Sequence, residues 1–321
     1  MIKKKNYIGI DISKLSFDVA IKNEKGKYLH YKFSNDYEGF SKFIQLLNFE
    51  NDVCVMEASG PYYLKLSTYL FDQKISVCVV NPLVIRRFSQ MRMTRTKTDK
   101  KDAVIIAEYG KTETPNTWEP EADYILEIKQ MHAYVGQMNK SRTGFIRQLE
   151  AFKQNPVVAF TMNESLQKMI VTLEKEIAII EAKMSELINE HHQKLFEQIQ
   201  SIPGLGKKTA MQLIVISGGF TRFSNAKQLS SYVGLSPRIF ESGTSVKGRS
   251  KICKMGMSRV RAMLYVCAWT AKRCNKACKE LYDRLVEKGK AKKLALIAVV
   301  NKLLKQAFAV ATKNEFYFEN N

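Results

Sequence analysis

The spacing of apolar residues divides this chain into three stretches. In the first, YIGIDIS, FDVAIKN and YLHYKFS read as short strands, the second and third separated by a turn at Glu24-Lys25-Gly26-Lys27. A helix follows over 37–47, with Phe40, Phe43, Ile44 and Leu47 on one face. VCVMEAS (53–59) is an apolar run that carries Glu57 at its end. Pro61 opens a helix over 62–72, ISVCVVN (75–81) is a further buried run, and a last helix covers 98–111. The order β-β-β-α-β-α-β-α predicts a mixed sheet, with three antiparallel strands first and then parallel strands with crossover helices. That is the order of a ribonuclease-H-like fold.

Residues 114–123, with Pro115 and Pro120, read as a linker, and 124–152 as a helix. After the break at Asn155-Pro156 the spacing becomes heptad-like: Leu166, Ile170, Leu173, Ile177, Ile180, Met184 and Leu187. This predicts an antiparallel helical hairpin or coiled coil ending near His191, its seam packed within its own domain or used to hold a dimer. The rest is mostly helical, with glycine-rich turns at 203–206, 218–219 and 242–248. The expected class is α/β plus all-α in three parts: a sheet domain at 1–113, a helical connector and dimerisation region at 114–200, and a helical domain at 201–321. No run approaches the ~20 uninterrupted apolar residues of a spanning helix. The start, MIKKKNYIGIDIS, lacks the apolar core of a signal peptide. The final 314–318 segment carries no interpretable pattern.

Charge changes this picture from fold to partner. Lys and Arg number 51 against 31 Asp and Glu, a net +20. The excess is uneven: +6 over 1–113, −3 over 114–200 and +17 over 201–321. Such an excess points to a polyanion, nucleic acid before an anionic membrane. A local basic cluster (Arg86, Arg87, Arg92, Arg95, Lys97, Lys100, Lys101) stands in the first third. The six cysteines form no CxxC pair and there are only four histidines, which argues against a zinc site or disulfide framework and fits a reducing cytoplasm.

Against this basic background four carboxylates stand out. Asp11 ends the first strand, Glu57 the fourth, and Asp99 and Asp102 lie three apart on one face of the TDKKDA helix. In a ribonuclease-H-like sheet these positions converge. A cluster of like charges needs a cation, and carboxylate oxygens suit Mg2+ or Mn2+, ions that clamp both sides of a phosphodiester displacement. GIDISKLSFDVAI, VMEASGPYY, VNPLVIRRF and RTKTDKKDAVIIA resemble the N-terminal DEDD domain of the insertion-sequence-110 family of transposases, which includes the Piv-like site-specific invertases. The resemblance implies a RuvC-like nuclease domain with Asp11, Glu57, Asp99 and Asp102 as its metal-binding quartet.

The basic third carries a second set of motifs. SIPGLGKKTAMQLI (201–214) has the form of a helix-hairpin-helix. Gly204 and Gly206 allow its turn, and Lys207 and Lys208 stand at the following helix start, where backbone amides can hold a phosphate. Residues 223–271, with YVGLSPR, ESGTS, a basic glycine loop and a helix bearing Arg259 and Arg261, resemble the same family's C-terminal transposase domain. The resemblance implies that Ser242 is the nucleophile. Lys247, Arg249, Lys251 and Lys254 lie where they could neutralise the transferring phosphate. Ser245 is the main rival, Ser236 and Ser250 weaker ones, and no histidine lies near Ser242 in the chain.

The family resemblance further implies excision and insertion of a mobile element through a covalent phosphoserine. It implies a structured guide RNA (a bridge RNA from the element's non-coding end) that pairs with donor and target DNA, and a homodimer assembling to a tetramer. A site-specific invertase and a Holliday-junction-type nuclease are the alternatives, and no membrane role is expected.

Overall fold

The computed structural model describes residues 5–93, 98–157, 159–238, 241–242, 246–247 and 251–319. These form two compact units, Met1–Pro120 and Glu121–Asn321.

The first unit is a five-stranded sheet covered on both faces. Its strands are β1 (Asn6–Ile12), β2 (Ser16–Lys22), β3 (Tyr28–Ser34), β4 (Asp52–Glu57) and β5 (Ser76–Val80). The order across the sheet is β3-β2-β1-β4-β5, antiparallel between β1, β2 and β3, and parallel between β1, β4 and β5. Alternation along β1 sorts the faces. Ile8, Ile10 and Ile12 point into a core with Phe17, Phe40, Phe43, Leu66 and Leu70, beneath α1 (Tyr37–Ile44) and α2 (Tyr63–Asp72). Val53, Val55, Cys78 and Val80 form the other core, beneath α3 (Pro82–Met91) and α4 (Asp99–Glu113). Helix α3 is absent from the periodicity reading. Its signal is the Asn81-Pro82 pair, in which the Asn81 side chain accepts from the Leu83 N–H and proline takes the first helical position. The stretch read as a linker belongs partly to this unit: Trp118 donates its N–H to the Val77 carbonyl at 2.6 Å and stands edge-on to Phe71.

Helix α4 lies unusually close to β1, and Gly9 is the reason. A Cβ there would fall within the van der Waals radii of the Ala103 carbonyl oxygen and Ala107 nitrogen, and 2.9 Å from the Ala107 Cβ. One turn on, a Cβ at Gly110 would sit 2.6 Å from Val55 Cγ2. Gly9→Val should therefore push the helix off the sheet and cost about 3 kcal/mol or more. Thermal melting that leaves the variant at the wild-type midpoint would contradict this packing.

The second unit is helical around one core. Helices α5 (Asp123–Phe152) and α6 (Phe160–Gln200) form a long hairpin, antiparallel because Tyr124 meets His191 and His192 while Arg142 meets Glu174. Helices α7 (Lys207–Ser217), α8 (Ala226–Val233), α9 (Ser258–Cys274), α10 (Lys276–Glu287) and α11 (Lys292–Lys313) complete it. The heptad seam is filled within the chain. Ile177, Met184 and Leu187 share a core with Ile125, Ile128, Val135 and Met138 of α5 and with α7–α11. The region read as a separate connector thus packs as one body with the basic helices. The helix breaks at His192 (φ −143°, ψ 30°), next to the expected end of the coil at His191, and a second helical stretch to Gln200 buries Phe196 and Ile199.

Two further segments are placed by the structure. Helix α11 passes a length-and-composition test for a membrane span, but polar residues interrupt it and it lies in the core through Leu296, Val299, Val300, Leu303 and Leu304. The 314–318 segment, unreadable by pattern, is clamped. Asn275, fully buried, accepts from the Tyr317 hydroxyl (3.3 Å), and the Tyr317 N–H donates to Ser201 Oγ (2.9 Å).

Candidate active site

Each sheet carboxylate is placed by strand parity. Asp11 follows Tyr7 and Gly9 on the α4 face of β1, and Glu57 follows Val53 and Val55 on the same face of β4. The parallel register pairs Ile10 with Met56, so Asp11 and Glu57 come one step later on neighbouring strand ends. Thr98 caps α4 by accepting from the Lys101 N–H, which puts Asp99 and Asp102 in its first turn. The close approach that Gly9 permits brings that turn towards Asp11.

The electrostatics of Asp11 record the convergence. Burial pushes its carboxyl up to about 7, and the charges of Asp102, Asp99, Glu57 and Asp18 push the same way, in that order. The carboxylates of Asp102, Asp99 and Glu57 thus lie within electrostatic reach of Asp11. They are not closed into a metal cage: among the described residues no three His, Cys, Asp or Glu side chains already stand as a ligand set. Ser59 donates its hydroxyl to Glu57 Oε1 at 3.1 Å and so helps to orient that carboxylate.

Asp18 is the member that pattern reading missed. It pairs across strands with Asp11, which puts both on one face, and is only 6% exposed. His30 Nε2 lies 2.6 Å from its Oδ1 and Lys32 Nζ 3.7 Å from its Oδ2. The signal was present in FDVAIK, where a carboxylate interrupts an otherwise apolar strand. Such a residue is buried only with partners, here His30 and Lys32 on β3.

In the second unit, Ser242 lies on a small ribbon. Strand β6 (Pro237–Arg238) pairs with β9 (Lys251–Ile252), and β7 (Glu241–Ser242) with β8 (Val246–Lys247), Ser242 opposite Val246. Ser242 thus stands in a two-residue strand paired with β8. Lys247 and Lys251 follow on the returning strands. Ser245, Arg249 and Ser250 lie outside the described residues, as do Arg95 and Lys97. Ser236 bonds through its backbone, its carbonyl accepting from the Cys253 N–H at 2.9 Å. Lys254 is exposed with a left-handed φ of 56°.

The expected basic contacts divide into free and engaged groups. Arg86 and Arg87 stand exposed on α3, and Arg92 lies 5.2 Å from the Phe88 ring centre. Lys207 and Lys208 are exposed at the start of α7, which has no side-chain cap. The turn before it depends on Gly204 (φ 100°), where a Cβ would lie 2.6 Å from the Ala271 Cβ. Lys208 pairs with Glu181 at 2.6 Å. Arg261 donates to the Val233 carbonyl at 2.8 Å, closing the end of α8, whereas Arg259 is exposed and lies against Gly136 of α5.

A carboxylate cluster at the strand ends of one unit and a basic helical unit beside it in the chain are the parts of an enzyme that works on DNA, and similarity to known proteins gives the class. Residues 8–154 match the model of a DEDD-type transposase domain. Residues 196–283 match that of the transposase IS116/IS110/IS902 family. The chain is thus of the transposase class, enzymes that cut and rejoin DNA. It is 30% identical to the pilin gene-inverting protein of Moraxella lacunata and 31% identical to that of Moraxella bovis, over 97% of both chains in each case. It is 22% identical to the transposase for insertion sequence element IS1111A of Coxiella burnetii, over 97% of this chain and 90% of that one. The chain belongs to the IS110 family of transposases, to which the pilin gene-inverting proteins are related.

Proposed function

We propose that this chain is the recombinase of an insertion sequence, cutting and rejoining DNA by serine attack with the help of a carboxylate-held divalent ion. The observation that carries the reading is the charge of Glu57, Asp99 and Asp102 acting on a half-buried Asp11. We read the sheet unit as ribonuclease-H-like of the RuvC type, and the turn before α7 as a helix-hairpin-helix. The donor set is all hard carboxylate oxygen, which fits Mg2+ or Mn2+. Such an ion, held by Asp11, Glu57, Asp99 and Asp102, would supply Lewis-acid polarisation of the phosphodiester.

The chain's own residues do the rest. Ser242 Oγ attacks phosphorus, a phosphoserine diester forms, and the bond from phosphorus to the departing strand's sugar oxygen breaks. The serine proton leaves to solvent and the departing oxygen takes one up. A hydroxyl of the incoming strand then attacks the phosphoserine, rejoining DNA and restoring the serine. Lys247, Arg249, Lys251 and Lys254 neutralise the phosphate in transit. Arg86, Arg87, Arg92, Arg95, Lys97, Lys207, Lys208, Arg259 and Arg261 supply phosphate-backbone contacts and positive charge. The +17 of residues 201–321 is also enough charge for a structured guide RNA, in which case base pairing reads sequence and protein reads shape. Assembly to a dimer, and of dimers to a tetramer, belongs to the same proposal. Its surface is the distal hairpin, where Phe160, Val171 and Ile179 stand exposed; an Ile179→Glu variant of unchanged mass by light scattering would remove that surface.

The Moraxella relatives favour a second outcome of the same chemistry: strand exchange between inverted sites turns the intervening DNA round instead of moving it. A plasmid carrying both arrangements of the element ends separates the two. Joined products with Mg2+ and none in excess EDTA are expected, and undiminished joining in EDTA would remove the metal from the mechanism.

A further inference from the structure

Helices α5, α6, α7 and α9 line a half-open cavity of about 570 Å3 to whose apolar wall the mechanism assigns nothing. That size lies within the roughly 300–1,000 Å3 of small-molecule sites. Its inner wall is apolar and soft: Met184 and Met211, both buried, with Met263 and Val135. Methionine sulfur packs well against aromatic faces. His132, Asn139 and Ser185 add donors and acceptors, and burial, then the Arg259 charge, holds the His132 imidazole below its ordinary value. Lys207, Lys208 and Arg259 line the cavity as well, with Glu181 the acidic member of the lining.

The seat for Arg259 is built into the sequence. Gly136 stands inside a 30-residue helix, where glycine costs about 1 kcal/mol relative to alanine. A Cβ there would lie 2.6 Å from Arg259 Nη2 and 2.7 Å from Nη1. The glycine lets the guanidinium lie against the α5 backbone at the cavity edge. An apolar, sulfur-lined slot edged by Lys207, Arg259 and the Lys208–Glu181 ion pair, with a few hydrogen-bonding groups, matches a flat heteroaromatic base joined to a phosphate.

We propose that this cavity receives one unpaired nucleotide of a DNA or RNA strand, its base among the methionines and its phosphate on Lys207, Lys208 and Arg259. Extrusion of a single nucleotide is cheapest where it is already unpaired, so the cavity distinguishes bulged or displaced strands from regular duplex. The inference rests on the nucleic-acid reading above and can fail separately from it.

The test is equilibrium binding of the full chain, by fluorescence anisotropy, to a labelled DNA duplex with one bulged adenine, the same duplex fully paired, and the bulged duplex in RNA. Wild type should prefer a bulged duplex by about tenfold, the value of one stacked base. Ala262, exposed on α9 at the cavity wall, can be enlarged without touching the core. Ala262→Phe should bring the preference to within about twofold of none while affinity for paired duplex stays unchanged. Gly136→Ala should lower it through Arg259. The arm in which Ala262→Phe acts identifies DNA or RNA as the source. Equal wild-type binding of bulged and paired duplexes, or a preference that survives Ala262→Phe, overturns the cavity proposal and leaves nucleic-acid binding standing. Failure to bind any of the three overturns the reading beneath it.

Discussion

Ser242→Ala should abolish joined products, by about 10⁴-fold or more, while leaving DNA affinity unchanged. Removing a nucleophile costs far more than removing a group that assists it, because no other group can form the covalent intermediate. The substitution sits on a two-residue strand, and alanine fits an extended backbone. The direct readout is a denaturing gel of a labelled cleavage substrate. Wild type should carry label at the protein position, Ser242→Ala none, and Ser245→Ala, three positions along the chain, close to wild type. An adduct that survives in Ser242→Ala moves the nucleophile elsewhere. Cutting that survives with no adduct means that water attacks, and makes the chain a structure-specific nuclease.

Some of this machinery is legible in the chain and some is not, for physical reasons. Strand order in the first unit was readable because burial on both faces of a sheet enforces long apolar runs, and short turns between them leave little choice of partner. Asp11 and Glu57 stand out in the sequence because each falls at or next to the end of such a run. Helix α3 escaped because its apolar spacing is short and its arginines blur the face; only the Asn81-Pro82 cap announces it. Asp18 escaped because its partners, His30 and Lys32, belong to another strand, and a single buried carboxylate has no period. The heptad seam of α6 was read correctly as a seam, but pattern alone does not say which surface fills it. That was decided by α5 and α7–α11, whose apolar faces are spread over the rest of the unit. Ser242 has no local signature. A serine between glutamate and glycine is ordinary turn text, and its assignment came from the family motif around it.

Asp11→Asn should have opposite effects on activity and stability. The substitution keeps the shape of the side chain and removes its charge. Activity should fall below detection with Mg2+ or Mn2+, because the central carboxylate of the group can no longer ionise and hold a cation. Stability in EDTA should rise. The Asp11 pKa is raised on folding, from 3.8 to about 7, so between those values the folded chain binds more protons than the unfolded one. Stability therefore falls as pH climbs through that window, and above it the ionised carboxylate is a cost. Discounted for partial solvent screening, the gain from Asn at pH 8 is about 1–2 kcal/mol. It should shrink as pH falls towards 4, where the wild-type carboxyl is protonated in the folded state. Adding Mg2+ should raise the wild-type melting temperature, as any ligand of the folded state does, and leave Asp11→Asn unmoved. A variant that is less stable than wild type at pH 8 in EDTA would show that Asp11 is held as a structural anion, by partners whose stabilisation outweighs the repulsion of its neighbours. A variant still shifted by Mg2+ would place the ion on Glu57, Asp99 and Asp102 without the strand end between them.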